Sequence, residues 1–169
     1  MKNVNLQFFQ EELKRISEWI RFTDQKAALV AVYYSALISF LVVKKDIIVI
    51  CLKQLSLGEL FILNSILFLL LIFITLGIFY LFSSIFPRLK NHFNKKSLFY
   101  FGTISRMEFL NFIEKMGSLS EDEMKKQIIE QIYILSVIAD QKMNNIQNSI
   151  RCLFVSIFFI LMIYIYFNL

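Results

Sequence analysis

Three apolar stretches, Ala27–Val43, Leu60–Phe86 and Cys152–Leu169, constrain this chain more than any other feature. In hydrocarbon every backbone N–H and C=O must find a partner within the protein, and a helix satisfies them locally. About 20 residues at ~1.5 Å each cross a core of roughly 30 Å. The first and third stretches sit at the short end of that range, and the second is long enough to tilt. A fourth, Asp46–Leu55, is too short to cross and is expected to lie in the interface. The composition agrees: 57% of residues are hydrophobic, with 19 Phe and 7 Tyr against four Gly and one Pro. The expected fold is all-α, a helical multi-pass membrane protein whose long helices continue into a cytoplasmic bundle.

Charge sets the orientation. Residues 1–26 carry five Lys/Arg, residues 88–151 carry ten, and the connection 44–59 carries three. The positive-inside rule places the N-terminus and residues 88–151 in the cytoplasm, with the 44–59 connection and the C-terminus outside. The expected organisation is a cytoplasmic amphipathic helix over 1–26 and two spans over 27–86. A cytoplasmic helical region over 87–151 and a final span over 152–169 follow. The first 22 residues are amphipathic and charged, unlike a cleavable signal peptide. Cys51 and Cys152 fall on opposite sides in this topology, so no disulfide between them is expected. The net charge of +5 suits anionic head groups or an anionic ligand, and no nucleic-acid motif accompanies it.

Ser56–Glu59, Ser105–Glu108 and Ser120–Glu123 each have the Ser-x-x-Glu form of a capping box. Pro87 should stop or bend the second span. A short helix from about Arg106 to Met116 should close at Gly117. From Glu121 neither Gly nor Pro interrupts the chain to Leu169, which predicts one long helix.

Helical spacing assigns the faces. Leu6, Phe9, Leu13, Ile16 and Ile20 form a seam. Its continuation reaches Asp24, then Ala27, Ala31, Ser35 and Ser39, small residues that would let another helix approach closely. Lys26 lies on a different face, beneath aromatic residues, and either snorkels to head groups or pairs with an anionic ligand. In the last helix Ile128, Ile132, Leu135, Ile138, Ala139, Ile146 and Ile150 make a seam that includes Lys142. That lysine either fixes register or contacts a ligand. Ser136 and Asp140 lie on a polar flank. Asn64 and Thr75, eleven apart in the second span, share a face suited to interhelical hydrogen bonds or to lining a pore.

If Ala27 and Cys152 enter lipid at similar levels, Asp24 stands level with Ser149, about 10 Å along the axes from Lys142. Direct pairing of Asp24 with Lys142 is then not expected. Asp24 should meet Arg151 or Arg88, and Lys142 should meet Glu18.

No catalytic set is evident. The single His, His92, sits in a basic, Asn-rich stretch, and no HExxH, P-loop, GxGxxG or GxSxG occurs. The chain is expected not to be an enzyme and to carry no metal or cofactor.

The order "RFTDQKAALV", "FPR", "SLFYFGTI" and "QIYILSVIADQKMNNI" before a final apolar helix resembles the Pycsar effector transmembrane family, with a layout similar to SLATT-type effectors. The resemblance covers nearly the whole chain. It implies a bacterial inner-membrane protein that senses a cyclic pyrimidine mononucleotide, cyclic CMP or cyclic UMP, made by a partner cyclase on phage infection. The effector then impairs the membrane and stops growth before phage spread. Residues matching the family's motifs are Asp24, Lys26, Ala27, Phe101, Gly102, Gln131, Ser136 and Lys142, which serve either nucleotide binding or bundle packing. The family pattern is often read as four spans, where three are clear here. A cationic, polar crevice around Glu18, Arg21, Asp24, Gln131 and Lys142 could hold a phosphate and base edges. The expected partners are that nucleotide, membrane lipids and further copies in a homo-oligomer, without nucleic acid. The alternative is a non-gated membrane scaffold or accessory subunit acting through its cytoplasmic coiled coil.

Overall fold

The computed structural model describes residues 6–86, 98–99 and 101–168, except the side chains of Ile47, Cys51, Gln54, Phe101, Phe167 and Asn168. Pro87, Arg88 and His92 lie outside the described residues, as does the side chain of Cys51, while the end of the second span at Ile85, with Phe86 as its C-cap, is described. The chain is all-α. Its helices are α1 (Leu6–Val43), α2 (Lys45–Gln54), α3 (Leu57–Ile85), α4 (Phe101–Ile104), α5 (Phe109–Gly117) and α6 (Glu121–Asn168). Among them α1, α3 and α6 are long and apolar enough to cross a membrane.

Two of the three capping boxes form. The Glu59 carboxylate accepts from the Ser56 N–H and hydroxyl at 2.9 and 2.7 Å and starts α3. At α6 the exchange is reciprocal. Glu123 accepts from the Ser120 N–H and hydroxyl, and its own N–H donates to Ser120 Oγ. The Ser120 N–H, helped by the hydroxyl, holds the Glu123 carboxyl below its usual range. The third box does not form. Ser105 lies in a turn and donates to the Gly102 carbonyl, and α5 starts at Phe109 instead of Arg106, with Glu108 in the cap position. A serine that can bond its own backbone three residues back competes with its role as a cap.

The chain divides into two compact units. One comprises Thr23–Phe86 with Lys142–Leu169. The divisions at 22/23 and 141/142 fall short of the apolar boundaries at 26/27 and 151/152, so polar turns of α1 and α6 pack with the spans. Buried positions here follow a spacing of three and four. They are Thr23, Ala27, Val30, Tyr34 and Leu37 on α1; Leu63, Leu70, Ile74, Gly77, Leu81 and Ser84 on α3; and Lys142, Ile146, Ser149, Cys152, Leu153, Ser156 and Ile163 on α6. A mean spacing near 3.5 is the signature of helices that wrap left-handedly. Phe73 and Phe159 add a ring contact at 5.9 Å. The outer faces present Leu29, Val32, Phe61, Phe68, Phe79, Phe154 and Phe158. Exposure that would be costly in water is ordinary against lipid tails.

This seam corrects the expected ridge of small residues. Ala27 is buried and Ala31 half-buried, but Ser35 and Ser39 are exposed. Each step of four residues advances about 40° beyond a full turn, so a ridge spaced strictly by four rotates off the contact. Ser35 instead donates to the Ala31 carbonyl of its own helix at 2.9 Å.

The other unit comprises Met1–Phe22 with Pro87–Gln141. The expected α1 seam residues, Leu6, Phe9, Leu13, Ile16 and Ile20, are all half-buried. On α6, Ile128 and Gln131 are buried, as is Leu98, whose N–H donates to Gln127 Oε1 at 2.9 Å. α5 buries none of its residues and leaves Phe109, Leu110 and Ile113 exposed.

Candidate functional site

Charged and neutral polar side chains collect at two levels of the unit that contains the spans. The first level is ionic. Lys142 falls on the buried seam of α6, as its spacing predicts, with only 10% of its side chain exposed. Its Nζ donates to Asp24 Oδ1 of α1 at 2.5 Å, and Asp24 keeps half its side chain exposed. The Ser84 hydroxyl of α3, itself fully buried, donates to the Lys142 carbonyl at 3.3 Å. Three helices thus meet at one residue, α1 at its ammonium and α3 at its backbone carbonyl. A buried charge requires such a partner, because desolvating it alone costs several kcal/mol, on the order of the whole stability of a small domain.

The second level is neutral. The Tyr34 hydroxyl of α1 donates to the Ser149 carbonyl of α6 at 2.7 Å, and the Ser149 hydroxyl donates to the Gly77 carbonyl of α3 at 2.8 Å. Gly77 makes this possible: a β-carbon there would overlap the Tyr34 hydroxyl and press on Cys152. Here glycine serves close approach, as small residues do between membrane helices. Ser156, buried on the same seam, donates to the Cys152 carbonyl of its own helix at 2.9 Å.

The direct Asp24–Lys142 pair overturns the expected register. Asp24 stands level with Lys142 and Tyr34 reaches Ser149, so α1 is shifted by about a heptad towards the N-terminal end of α6 from where alignment of the apolar boundaries would put it. The seams set the level, and an apolar boundary on one helix need not match that on its neighbour. Lys142 therefore meets Asp24, not Glu18. Arg151 does not reach Asp24 either; it donates to Asn148 at 3.2 Å. Arg88, the other expected partner, lies outside the described residues.

Of the expected ligand set, Asp24, Lys26 and Lys142 belong to this unit, and Glu18, Arg21, Gln131 and Ser136 to the other. Lys26 is half-buried, Glu18 and Arg21 are exposed, and Gln131 is buried. Ser136 donates to the Ile132 carbonyl at 2.7 Å. Asn64 and Thr75 are exposed on α3, each one residue past a seam position and so about 100° around the helix from it, and Thr75 bonds the Leu71 carbonyl of its own helix. Neither makes the expected interhelical bond within the described residues. Sequence reasoning missed Tyr34, Gly77, Ser84, Ser149 and Ser156. Their signal is a small residue every seven positions, at 77 and 84 on α3 and at 149 and 156 on α6. Among the described residues no group of three His, Cys, Asp or Glu could hold a metal ion.

A family model described as the Pycsar effector protein domain matches residues 8–168. No curated protein and no solved structure gives a significant match.

Proposed function

The chain belongs to the Pycsar effector family, a family of membrane effectors of antiphage defence, and on that premise we propose that it converts a cyclic nucleotide signal into damage of the bacterial inner membrane. In this reading α1, α3 and α6 span the membrane, with the N-terminus in the cytoplasm and copies assembled into a homo-oligomer. The signal is cyclic CMP or cyclic UMP, and the outcome is abortive infection.

The ionic level carries this reading. A buried lysine whose ammonium ties α6 to α1 while its own backbone carbonyl is held by α3 is a point at which an anion can act on the α1–α6 contact. A ligand shifts a conformational equilibrium only through different affinities for the two states. An anion that binds Lys142 better when the helices have separated would favour the open arrangement.

The test is dye release from liposomes that contain the purified full-length protein. Cyclic CMP or cyclic UMP should trigger release, while cyclic AMP and cyclic GMP at the same concentration should not. No release with any of the four would sink the proposal. Capture of a protein partner regardless of nucleotide would then favour a scaffold.

A further inference from the structure

The two partners of the ionic level are unequal. Lys142 is nine-tenths buried and its own backbone carbonyl is gripped by Ser84, whereas half of the Asp24 side chain remains exposed. A partner that stays half in water has given up little of its hydration, so it can leave the pair at far less cost than a fully buried one. This pair fixes the cation and leaves the anion at an open edge. Among the described residues Lys142 is the one side-chain partner of Asp24.

We infer that Lys142 is an anion seat kept occupied from within by Asp24, so that a singly charged phosphodiester binds by displacing the aspartate. The inference rests on the reading above and adds its regulation. The exchange balances. A carboxylate and a phosphodiester each carry one negative charge, so Lys142 stays neutralised throughout, and the released Asp24 regains water through its exposed side. Displacement uncouples α1 from α6 at this level while the Tyr34–Ser149 bond persists. The aspartate thereby sets a threshold: an occupied seat lowers apparent affinity by the fraction of time it is occupied. Two sources supply the chemistry, a cyclic mononucleotide from solution or a phospholipid head group.

Calorimetric titration of the full chain in maltoside micelles with cyclic CMP and cyclic UMP tests this, with phosphatidylglycerol titrated separately by native mass spectrometry. Asp24→Asn should bind one of these ligands at least ~10-fold more tightly than the unaltered chain, as expected when an internal competitor is removed. Asp24→Glu, which keeps the competitor, should stay within about threefold. The exchanged pair Asp24→Lys with Lys142→Asp restores an ion pair and so guards against misfolding as the explanation, and it should lose the anion affinity. Tightening confined to phosphatidylglycerol identifies the head group as the occupant. Nucleotide binding that is unchanged in Asp24→Asn overturns the internal competitor yet leaves nucleotide sensing standing. Absence of binding to all three ligands by both proteins overturns the seat itself.

Discussion

Two polar joints hold α1, α3 and α6 together, seven residues apart on both α3 (Gly77, Ser84) and α6 (Lys142, Ser149). The outer joint is built from a glycine, a serine and a tyrosine, and its acceptors are backbone carbonyls. Nothing in it carries charge. The inner joint depends on a salt bridge with one half-exposed member. In a medium of low dielectric constant a neutral bond has few competitors, while a charge near water can trade partners. The same three helices therefore have one clasp suited to permanence and one suited to exchange.

The largest effect is expected at Gly77. Gly77→Leu forces a branched side chain into the space of the Tyr34 hydroxyl and should cost about 3 kcal/mol or more. Loss of the folded protein in detergent, followed by thermal denaturation, is the measurement. Survival with unaltered stability would mean that α3 does not approach α1 this closely.

Lys142→Ala comes next. It removes a buried stem and leaves Asp24 without its cation, but Asp24 is half-solvated, so about 1–2 kcal/mol is expected rather than the full penalty of a broken buried pair. Comparing it in a double-mutant cycle with Asp24→Ala should reveal a coupling of at least ~0.5 kcal/mol. Zero coupling would mean that the ion pair does not hold α1 to α6.

Tyr34→Phe deletes a single hydrogen bond and keeps the ring, so a loss of about 0.6 kcal/mol is expected, the usual scale between membrane helices. It should not alter the response to nucleotide, and a changed response would show that the outer joint also moves. Ser35→Ala and Ser39→Ala should shift stability by less than ~0.5 kcal/mol, because both positions face outward. A larger effect would place them at a contact between copies.

What the residues disclose in order along the chain differs from what they disclose in space. Spans, seams and the unbroken α6 follow from spacing alone, since each depends on neighbours within one helix. The inward turn of Lys142 also follows, because its seam can be counted from Leu135 to Ile146. Its partner cannot be read that way. Pairing requires the register between α1 and α6, which is marked by Tyr34 reaching the Ser149 carbonyl past Gly77 of α3, residues that look unremarkable in isolation. Ser105 shows the converse limit: a motif complete in sequence failed because a nearer carbonyl accepted its hydroxyl.

Trp19 is the sole tryptophan of the chain. It is 54% exposed on α1 and set edge-on to Phe22, with ring centroids 6.0 Å apart. Five residues separate it from Asp24 along the same helix, a distance of about 7.5 Å. The molecule therefore carries its own optical reporter on the helix that bears Asp24. Emission excited in the indole band comes from one known position, and a change in hydration there registers as a spectral shift in the unlabelled protein.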